Sequence, residues 1–250
     1  MSTHQPLTKI GTVFIKLLEV DSTNNYAHKL IKQQYVNSGT VISAQHQTKG
    51  KGQKGKIWNA AKNQNITLSI ILDISSIPIQ KQFILSAYAA VCCYDFLENY
   101  LPKHAAIKWP NDLYCYDKKA GGILIETINH NHSRTAIIGI GLNINQTEFD
   151  KNLRNPTSLK ANTGIEYYLN DLIEELLACF NNRLANLYAN HPSIIDDFNK
   201  NLFKKGSIVT LRKDNIKFNC TIQSVNEFGE LLVKDGLKDS FQFGEVEWVL

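Results

Sequence analysis

The segment from Ala106 to Asn145 constrains the fold more than any other part of the chain. It contains four runs rich in apolar and β-branched residues, separated by short polar turns. Parallel strands need a crossover connection of about a dozen residues or more, so turns this short predict an antiparallel meander. The predicted strands are Ala106 to Trp109, Leu113 to Tyr116, Gly122 to Ile128 and Thr135 to Asn143.

The rest of the first 203 residues supplies three more strands and four helices. Asp21, Ser22, Thr23 and Asn24 offer helix-capping side chains directly after the first of these strands. Helices packed on a mixed, largely antiparallel sheet define an α+β fold. The strands are predicted at Thr12 to Val20, Gly39 to His46 and Asn65 to Leu72, and the helices after Asn24, from Pro78 to about Tyr100, over Leu169 to Tyr188 and over Pro192 to Phe203.

The pattern changes after residue 203. Short strands separated by turns containing glycine, asparagine and aspartate are typical of a small β-barrel. A module of this size buries too little apolar surface to be comfortably stable alone, so we expect it to dock on the first domain. The predicted strands are Ile208 to Leu211, Phe218 to Ile222, Leu231 to Val233 and Glu245 to Val249.

Composition excludes several classes of protein. Apolar residues make up 43% of the 250 positions, but charged residues interrupt every apolar run before the roughly 20 residues that span a bilayer. No basic stretch precedes the first such run, which makes it a poor secretion signal, and we expect a cytoplasmic protein. A net charge of +4 suits phosphate ligands without requiring nucleic acid. No metal-binding spacing links the five cysteines, which we expect to be reduced thiols: Cys92, Cys93, Cys115, Cys179 and Cys220.

A glycine- and lysine-rich loop, KGKGQKGKIW at residues 49–58, follows the second predicted strand. Gly50, Gly55 and Lys56 match the spacing of a phosphate-binding P-loop, but Ile57 replaces the hydroxyl residue that such a loop needs for Mg²⁺. No helix follows either, so we reject the P-loop. What remains is a flexible loop whose four lysines attract an anion, with a solvated basic loop as the alternative.

The motif KWPNDL, from Lys108 to Leu113, is followed by Lys119 and two glycines. An acidic residue near a lysine and glycines suits a metal-nucleotide site. Asp112 would contact Mg²⁺ or a ribose, and Lys119 would place a compact cation on a phosphate oxygen. The same residues could also form a plain hairpin.

The segment IGIGLNIN, residues 138–145, resembles a dinucleotide-binding fingerprint only superficially. Ile144 replaces the third glycine and no helix follows. The glycines favour close approach of the backbone to a ligand. Asn143 and Asn145, two positions apart, are expected to point the same way, although either could be a turn residue.

The order and spacing of these motifs resemble one family, the biotin protein ligases, from Thr12 to Leu250. KWPND with a correctly spaced lysine is the specific part of the resemblance. It implies a class II synthetase-like catalytic domain over residues 1–203 and an SH3-like barrel over residues 204–250. The matching segments are Ser22-Thr23-Asn24, the loop from Gln47 to Trp58, Lys108 to Leu113, Lys119 to Glu126 and Gly139 to Asn143.

The resemblance implies a two-step ligation that uses biotin and ATP with Mg²⁺. Biotin is activated to biotinyl-5'-AMP, and a lysine of a biotin carboxyl carrier domain, such as that of acetyl-CoA carboxylase, then accepts it. Lys119 stands at the family's catalytic position. The implied biotin-binding residues are Ser22, Thr23, Asn24, Gln47, Gly50, Lys51, Gly52, Gln53, Lys119 and Gly122. The implied ATP and adenylate residues are Lys51, Gln53, Trp58, Asn111, Asp112, Lys119 and Asn143, with Asp112 also the candidate Mg²⁺ contact.

Two departures from the family pattern bear on function. Lysines replace most of the arginines usual in the loop, giving point charges in place of bidentate forks. Gln53 stands where many members carry an arginine that helps to retain the adenylate. About 11 residues precede the first predicted strand, too few for a winged helix-turn-helix, so we expect no operator binding. The resemblance is compatible with a monomer or a homodimer.

Two alternatives remain. A lipoate or octanoate protein ligase resembles this fold and also acylates a carrier lysine, but its Arg-Arg and triple-glycine signature is absent. A nucleic-acid-binding module would use the lysine loop and the terminal barrel. That alternative leaves Lys108 to Glu126 unexplained and would favour a net charge above +4.

Overall fold

The computed structural model describes residues 8–34, 36–130, 133–189 and 191–249. Within these ranges the chain forms twelve strands and five α-helices. The strands are β1 (Phe14–Leu17), β2 (Val41–Ala44), β3 (Asn65–Asp73), β4 (Ala105–Lys108), β5 (Asp112–Cys115), β6 (Lys118–His130), β7 (Ser133–Asn143), β8 (Ile208–Lys213), β9 (Ile216–Val225), β10 (Leu231–Lys234), β11 (Ser240–Phe241) and β12 (Glu247–Trp248). The helices are α1 (Thr23–Lys32), α2 (Phe83–Tyr100), α3 (Leu159–Thr163), α4 (Leu169–Ala189) and α5 (His191–Lys200).

The first seven strands form one sheet in the order β1-β2-β3-β7-β6-β5-β4. Only the β1–β2 pair is parallel, and the strands from β4 to β7 form the predicted antiparallel meander. The register places Asp112 opposite Gly122, Gly122 opposite Gly141, and Gly141 opposite Thr67. Residues opposite one another in a sheet share a face. Four strands therefore contribute to one row of positions across the sheet.

Helices cover both faces of this sheet. Neighbouring residues Ile70 and Ile71 point to opposite faces, as strand geometry requires, and belong to separate apolar clusters. Ile71 packs with Ala27 of α1, whereas Ile70 belongs to the main core with α2, α4 and α5. Helix α2 is apolar on more than one face, as predicted, because it is buried between the sheet and its neighbouring helices.

The C-terminal strands form a second sheet in the order β11-β10-β9-β8-β12. It contacts the preceding part of the chain: Trp109 donates a hydrogen bond from Nε1 to the Gly229 oxygen at 2.9 Å, and Trp248 packs against Phe203. Within the described ranges, β11 and β12 lie at the two edges with no pairing between them. The mixed α+β fold is confirmed, whereas closure of this open sheet into an SH3-like barrel stays a prediction.

Local details at two helix starts differ from the sequence prediction. Ser22 is the N-cap of α1, but its side chain makes no capping hydrogen bond. Asp21 instead accepts hydrogen bonds from the Ser22 backbone and the Asn25 amide. The helix expected from Pro78 begins with a separate 3₁₀ turn at Ile79–Lys81, because Pro78 itself has extended ψ, and α2 starts at Phe83.

The cysteine prediction is confirmed. All five thiols are free, four are buried, and Cys179 is half-buried. Burial raises the pKa of Cys115 to about 12, so this thiol is held in its neutral form. Across the described ranges, none of the helices is both long and apolar enough to cross a membrane.

We predict that Tyr88→Phe lowers the free energy of unfolding by about 1 kcal/mol, the net value of one buried hydrogen bond. Tyr88 donates its hydroxyl to the Phe180 oxygen at 2.6 Å, and the substitution keeps the edge-to-face ring contact. Urea denaturation followed by circular dichroism measures the change. Tyr168→Phe is the matched control, since Tyr168 is 84% exposed. Equal losses in both variants would contradict the prediction.

Candidate functional site

A cavity of about 700 Å³ lies between the glycine-lysine loop, the β5–β6 hairpin and the C-terminal sheet. Thirteen of the residues expected to bind biotin or the nucleotide line it. They come from segments that are distant in sequence, so the fold brings them together as the resemblance implies. They are Ser22, Thr23, Asn24, Gln47, Lys51, Gly52, Gln53, Trp58, Asn111, Asp112, Lys119, Gly122 and Asn143.

Gly50 is the expected site residue that does not line the cavity. It is buried within the loop, where a β-carbon would lie 2.3 Å from the Trp58 oxygen and 3.3 Å from Gln47 Nε2. The Gly50 oxygen also accepts a hydrogen bond from the Trp58 nitrogen at 2.9 Å, within the same loop. The structure therefore gives Gly50 a role in the shape of the loop, and its expected contact with biotin stays a prediction.

Lys119 and Asp112 form the ion pair on the floor of the cavity. Lys119 Nζ lies 2.5 Å from Asp112 Oδ1, and both side chains are partly shielded from solvent. A shift of register in the β5–β6 pairing, between Leu113 and Tyr114, brings Lys119 opposite Tyr114. Such bulges re-aim side chains, and this one directs the ammonium group to the carboxylate at the start of β5.

The backbone of Lys119 is also fixed from the other side. Its nitrogen donates to the Asn155 oxygen at 2.7 Å, and its oxygen accepts from the Thr157 nitrogen at 2.8 Å. These two bonds tie β6 to the segment between β7 and α3. Lys119 is thus held at both its backbone and its ammonium group.

A polar network occupies the start of α1 at another part of the cavity. The Thr23 nitrogen donates to Gln47 Oε1 at 2.8 Å, which orients the Gln47 amide and leaves its Nε2 as a donor. Ser69 Oγ lies 2.7 Å from Thr23 Oγ1 and 2.6 Å from Asn24 Oδ1. Asn24 Nδ2 donates to Glu126 Oε2 at 2.7 Å. The side chains of Thr23 and Asn24 are therefore positioned by partners from other segments of the chain.

The two glycines of the Gly139 to Asn143 segment make room for side chains. A β-carbon on Gly141 would lie 2.4 Å from the Trp58 indole, and one on Gly139 would lie 2.4 Å from Asn24 Oδ1. Both glycines also line the cavity. The sequence predicted close approach to a ligand. The structure shows that protein side chains occupy this space and form the wall that a ligand would meet.

Asn111 and Asn143 use part of their side chains to support the cavity wall. Asn111 Nδ2 donates to the Ile123 oxygen at 2.6 Å, and Asn143 Nδ2 donates to the Thr157 oxygen at 3.0 Å. Asn145, expected to point with Asn143, instead exchanges two hydrogen bonds with Tyr167 outside the cavity. The reason is that β7 ends at Asn143, so the strand alternation does not continue to Asn145.

The cavity is strongly basic. In the described part of the chain, six basic residues line it against two acidic ones. Charges gathered in a concave site focus the potential and attract anions. The basic residues are Lys51, Lys54, Lys56, Lys108, Lys119 and Arg154, and the acidic residues are Asp112 and Glu247.

Lys108 is the most buried of these cations, at 8% exposure. Burial lowers its pKa to about 8, an effect that the Asp112 carboxylate partly opposes. Its ammonium group lies 5.2 Å from the centre of the Tyr114 ring and 5.1 Å from that of Trp248. Lys108 stands in the KWPNDL motif, but the motif alone indicated no role for it.

Two groups of lining residues were missed from the sequence. The first is the segment around Phe149 and Arg154, which folds over the cavity from the connection between β7 and α3. The second comes from the C-terminal sheet and includes Phe243, Glu247 and Trp248. Neither group stands in a recognisable motif, and only the fold reveals their proximity. The aromatic and basic residue types at these positions were the signal in the sequence that could have indicated a binding site.

The sequence of the chain is similar to those of known proteins. The model of the biotin/lipoate A/B protein ligase family matches residues 17–143, just over half of the chain. A Bacillus spizizenii protein described as bifunctional ligase/repressor BirA is 34% identical over 168 residues, which are 66% of this chain and 51% of that protein. The biotin--[acetyl-CoA-carboxylase] ligase of Mycobacterium tuberculosis is 32% identical over 111 residues, 43% of this chain and 40% of that protein.

Solved structures extend the similarity to nearly the whole fold. The biotin protein ligase from Aquifex aeolicus in complex with biotin and ATP superposes with a TM-score of 0.78 at 25% identity. The match covers 94% of this chain and 98% of that one. By contrast, the chain spans about half the length of the curated relatives it matches first.

We predict that Gly141→Ala displaces the Trp58 indole, because the added methyl group would overlap it. Overpacking of this kind costs about 1–3 kcal/mol of folding free energy. Urea denaturation, with tryptophan fluorescence reporting the indole environment, measures both effects. Gly122→Ala is the matched control, since Gly122 lies directly opposite and an added β-carbon would meet its nearest atom at an ordinary 3.6 Å. An unchanged spectrum and midpoint for Gly141→Ala would refute the packing argument.

Proposed function

The chain belongs to the biotin/lipoate A/B protein ligase family, and from that premise we propose that it is an ATP-dependent biotin protein ligase. It would activate biotin to biotinyl-5'-AMP, releasing pyrophosphate. It would then transfer biotin to a specific lysine of a biotin carboxyl carrier domain of a carboxylase such as acetyl-CoA carboxylase. The observation that carries this proposal is the Lys119–Asp112 pair in the same cavity as the glycine-lysine loop and the polar Ser-Thr-Asn segment.

The first step joins two anions and so depends on positive charge. An oxygen of the biotin carboxylate attacks the α-phosphorus of ATP, and the bond to the pyrophosphate oxygen breaks. Negative charge on the phosphoryl oxygens must be stabilised by cations already in place. Lys119 would supply this charge as the catalytic residue. Asp112 and the fixed backbone of Lys119 would keep its ammonium group aimed at the α-phosphate.

The polar network at the start of α1 suits the ureido head of biotin, which offers both N–H donors and a carbonyl acceptor. Ser22, Thr23 and Gln47 would exchange hydrogen bonds with that head, and Asn24, Gly122 and the loop residues Lys51, Gly52 and Gln53 would complete the biotin site. Asn111, Asn143 and Trp58 would contact the nucleotide. Closure of the loop excludes water, which protects a mixed anhydride from hydrolysis.

Mg²⁺ would enter with ATP. Magnesium in nucleotide sites is held by phosphate oxygens and one or two carboxylates, and Asp112 fits as one such carboxylate. Its Oδ1 pairs with Lys119, which leaves Oδ2 as the candidate ligand. The ion would neutralise part of the triphosphate charge, while the residues of this chain bind and orient the two substrates.

In the second step the neutral amine of the acceptor lysine attacks the carbonyl carbon of the adenylate, and AMP leaves. We propose residues 1–203 as the catalytic domain and residues 204–250 as an SH3-like barrel that completes the cavity. A lipoate or octanoate protein ligase is the alternative within the family. The polar contacts around Gln47 favour biotin, because an alkyl or dithiolane tail offers no groups to pair with them.

We expect the purified chain to form biotinyl-5'-AMP from biotin and Mg-ATP, and to label one lysine of a carrier domain. Mass spectrometry identifies the adenylate and the labelled lysine, and a pyrophosphate assay gives the rate. Lipoate and octanoate serve as competing substrates. Preferential transfer of either one, or no pyrophosphate release with biotin, would reject the proposal. Retention on random DNA tighter than micromolar would instead support the nucleic-acid-binding alternative.

We predict that Lys119→Ala slows adenylate formation by about 100-fold or more, the usual cost of removing a charge-stabilising group from a transition state. Biotin binding, measured by calorimetry, is expected to change little. Lys118→Ala is the matched control, since Lys118 is the adjacent residue on the same strand but is exposed and does not line the cavity. A wild-type rate for Lys119→Ala would remove Lys119 from the chemistry.

A further inference from the structure

Lys108 is a buried cation that the proposed chemistry leaves unused. Within the described ranges, no hydrogen bond or ion pair engages its ammonium group, and Asp112, opposite it in the β4–β5 register, pairs with Lys119 instead. Burying an unpaired charge is costly. Lys108 also lines the cavity, so an anion entering there would meet this charge directly.

Two aromatic rings flank the ammonium group of Lys108. Tyr114 comes from β5 beside it, whereas Trp248 comes from β12 at the edge of the C-terminal sheet. Phe203 contacts both rings, at 4.8 Å from Tyr114 and 5.9 Å from Trp248 between ring centres. Rings at this distance partly compensate a buried cation and limit its movement. Neither ring carries a negative charge that would neutralise the ammonium group.

The indole of Trp248 has no hydrogen-bond partner in the described part of the chain, although its Nε1 is buried. A buried indole usually finds one. The Trp248 ring instead contacts the ammonium group of Lys108 and the ring of Phe203. Trp248 connects the C-terminal sheet to the cavity through a ring face and not through a polar bond.

Charge distribution indicates which part of ATP Lys108 would meet. Lys119 and Asp112 form an ion pair at the proposed α-phosphate position. Lys108 lies on the same face, one strand further toward the edge of the sheet, and within the described ranges its ammonium group forms no ion pair. The pyrophosphate part of ATP carries more negative charge than the α-phosphate and needs its own cations.

Building on the proposed function, we propose that Lys108 binds the pyrophosphate part of ATP and that Trp248 of the C-terminal sheet is the positioning residue that holds it there. The C-terminal sheet then contributes to adenylation by fixing a cation that belongs to the first domain. Transfer of biotin from a finished adenylate does not need this cation, because pyrophosphate has already left.

The test compares Lys108→Met, Lys108→Arg and Trp248→Leu with the wild type in ATP–pyrophosphate exchange dependent on biotin. We expect Lys108→Met to raise the KM for ATP and for pyrophosphate by about 10- to 100-fold, the range for losing a hydrogen bond to a charged group. The KM for biotin should change less than about twofold, and Lys108→Arg should recover part of the loss. Trp248→Leu should raise the KM for ATP by about fivefold and leave that for biotin unchanged.

Lys16→Met is the matched control. Lys16 also lies over an aromatic ring, 5.2 Å from the centre of Phe14, but on β1 and away from the cavity. We expect wild-type exchange kinetics for it. A second readout supplies biotinyl-5'-AMP directly and measures transfer to a carrier domain, which should proceed at the wild-type rate in every variant.

Each outcome decides a separate point. An unchanged KM for ATP in Lys108→Met would overturn the assignment while leaving the proposed function intact. Equal rises in the KM values for ATP and biotin would show that Lys108 only supports the fold. If Lys108→Met fails to fold by circular dichroism, Trp248→Leu decides by the same selectivity for ATP over biotin. Absence of exchange in the wild type would reject the proposed function itself.

Discussion

The register of the antiparallel sheet is the constraint on which the site depends. Asp112, Gly122, Gly141 and Thr67 lie opposite one another on four strands. Because side chains alternate along a strand, a slip of one residue would turn every side chain of that strand to the other face. Short turns fix the register of β4 to β7, and the bulge in the β5–β6 pair then sets the direction of Lys119. The geometry of one ammonium group thus follows from backbone pairing over most of the sheet.

Sequence reasoning was most successful where local pattern and short connections decided the structure. The meander from β4 to β7, the helix α4 and the strand β3 follow from apolar periodicity and turn length. The structure reproduces them within two residues at each end, except that β6 begins at Lys118, four residues before the predicted start. The clustering of Lys119, Asp112 and Trp58 followed from the resemblance to a family. Spacing alone left a plain hairpin as an alternative for Lys119. The order of the motifs along the chain therefore predicted this clustering, which local propensity could not.

The parts that could not be predicted depend on contacts that residue type and spacing do not specify. Trp248 lies about 140 positions from Lys108, and nothing in either local pattern indicates that they meet. Gly50 appears in a loop motif that suggests a ligand contact, yet the nearest atom to its missing side chain is a backbone oxygen of the same loop. Ser22 has the residue type of a helix cap, but the competing hydrogen bonds of Asp21 complete that turn. Packing between distant segments decided the first case, and local hydrogen bonds and the shape of the loop decided the other two.

The excess of basic residues around the cavity connects stability to ligand binding. Six cations and two carboxylates share one concave surface, and like charges held near one another repel. A ligand that carries several negative charges removes that repulsion and forms new charge-assisted hydrogen bonds. Anything that binds the folded state alone also stabilises it in proportion to its binding free energy. The charge that disfavours the folded state by itself therefore favours binding of a polyanion. Under the proposed function, lysines suit this role because their flexible stems would let the ammonium groups adjust as phosphate charge moves from ATP to pyrophosphate.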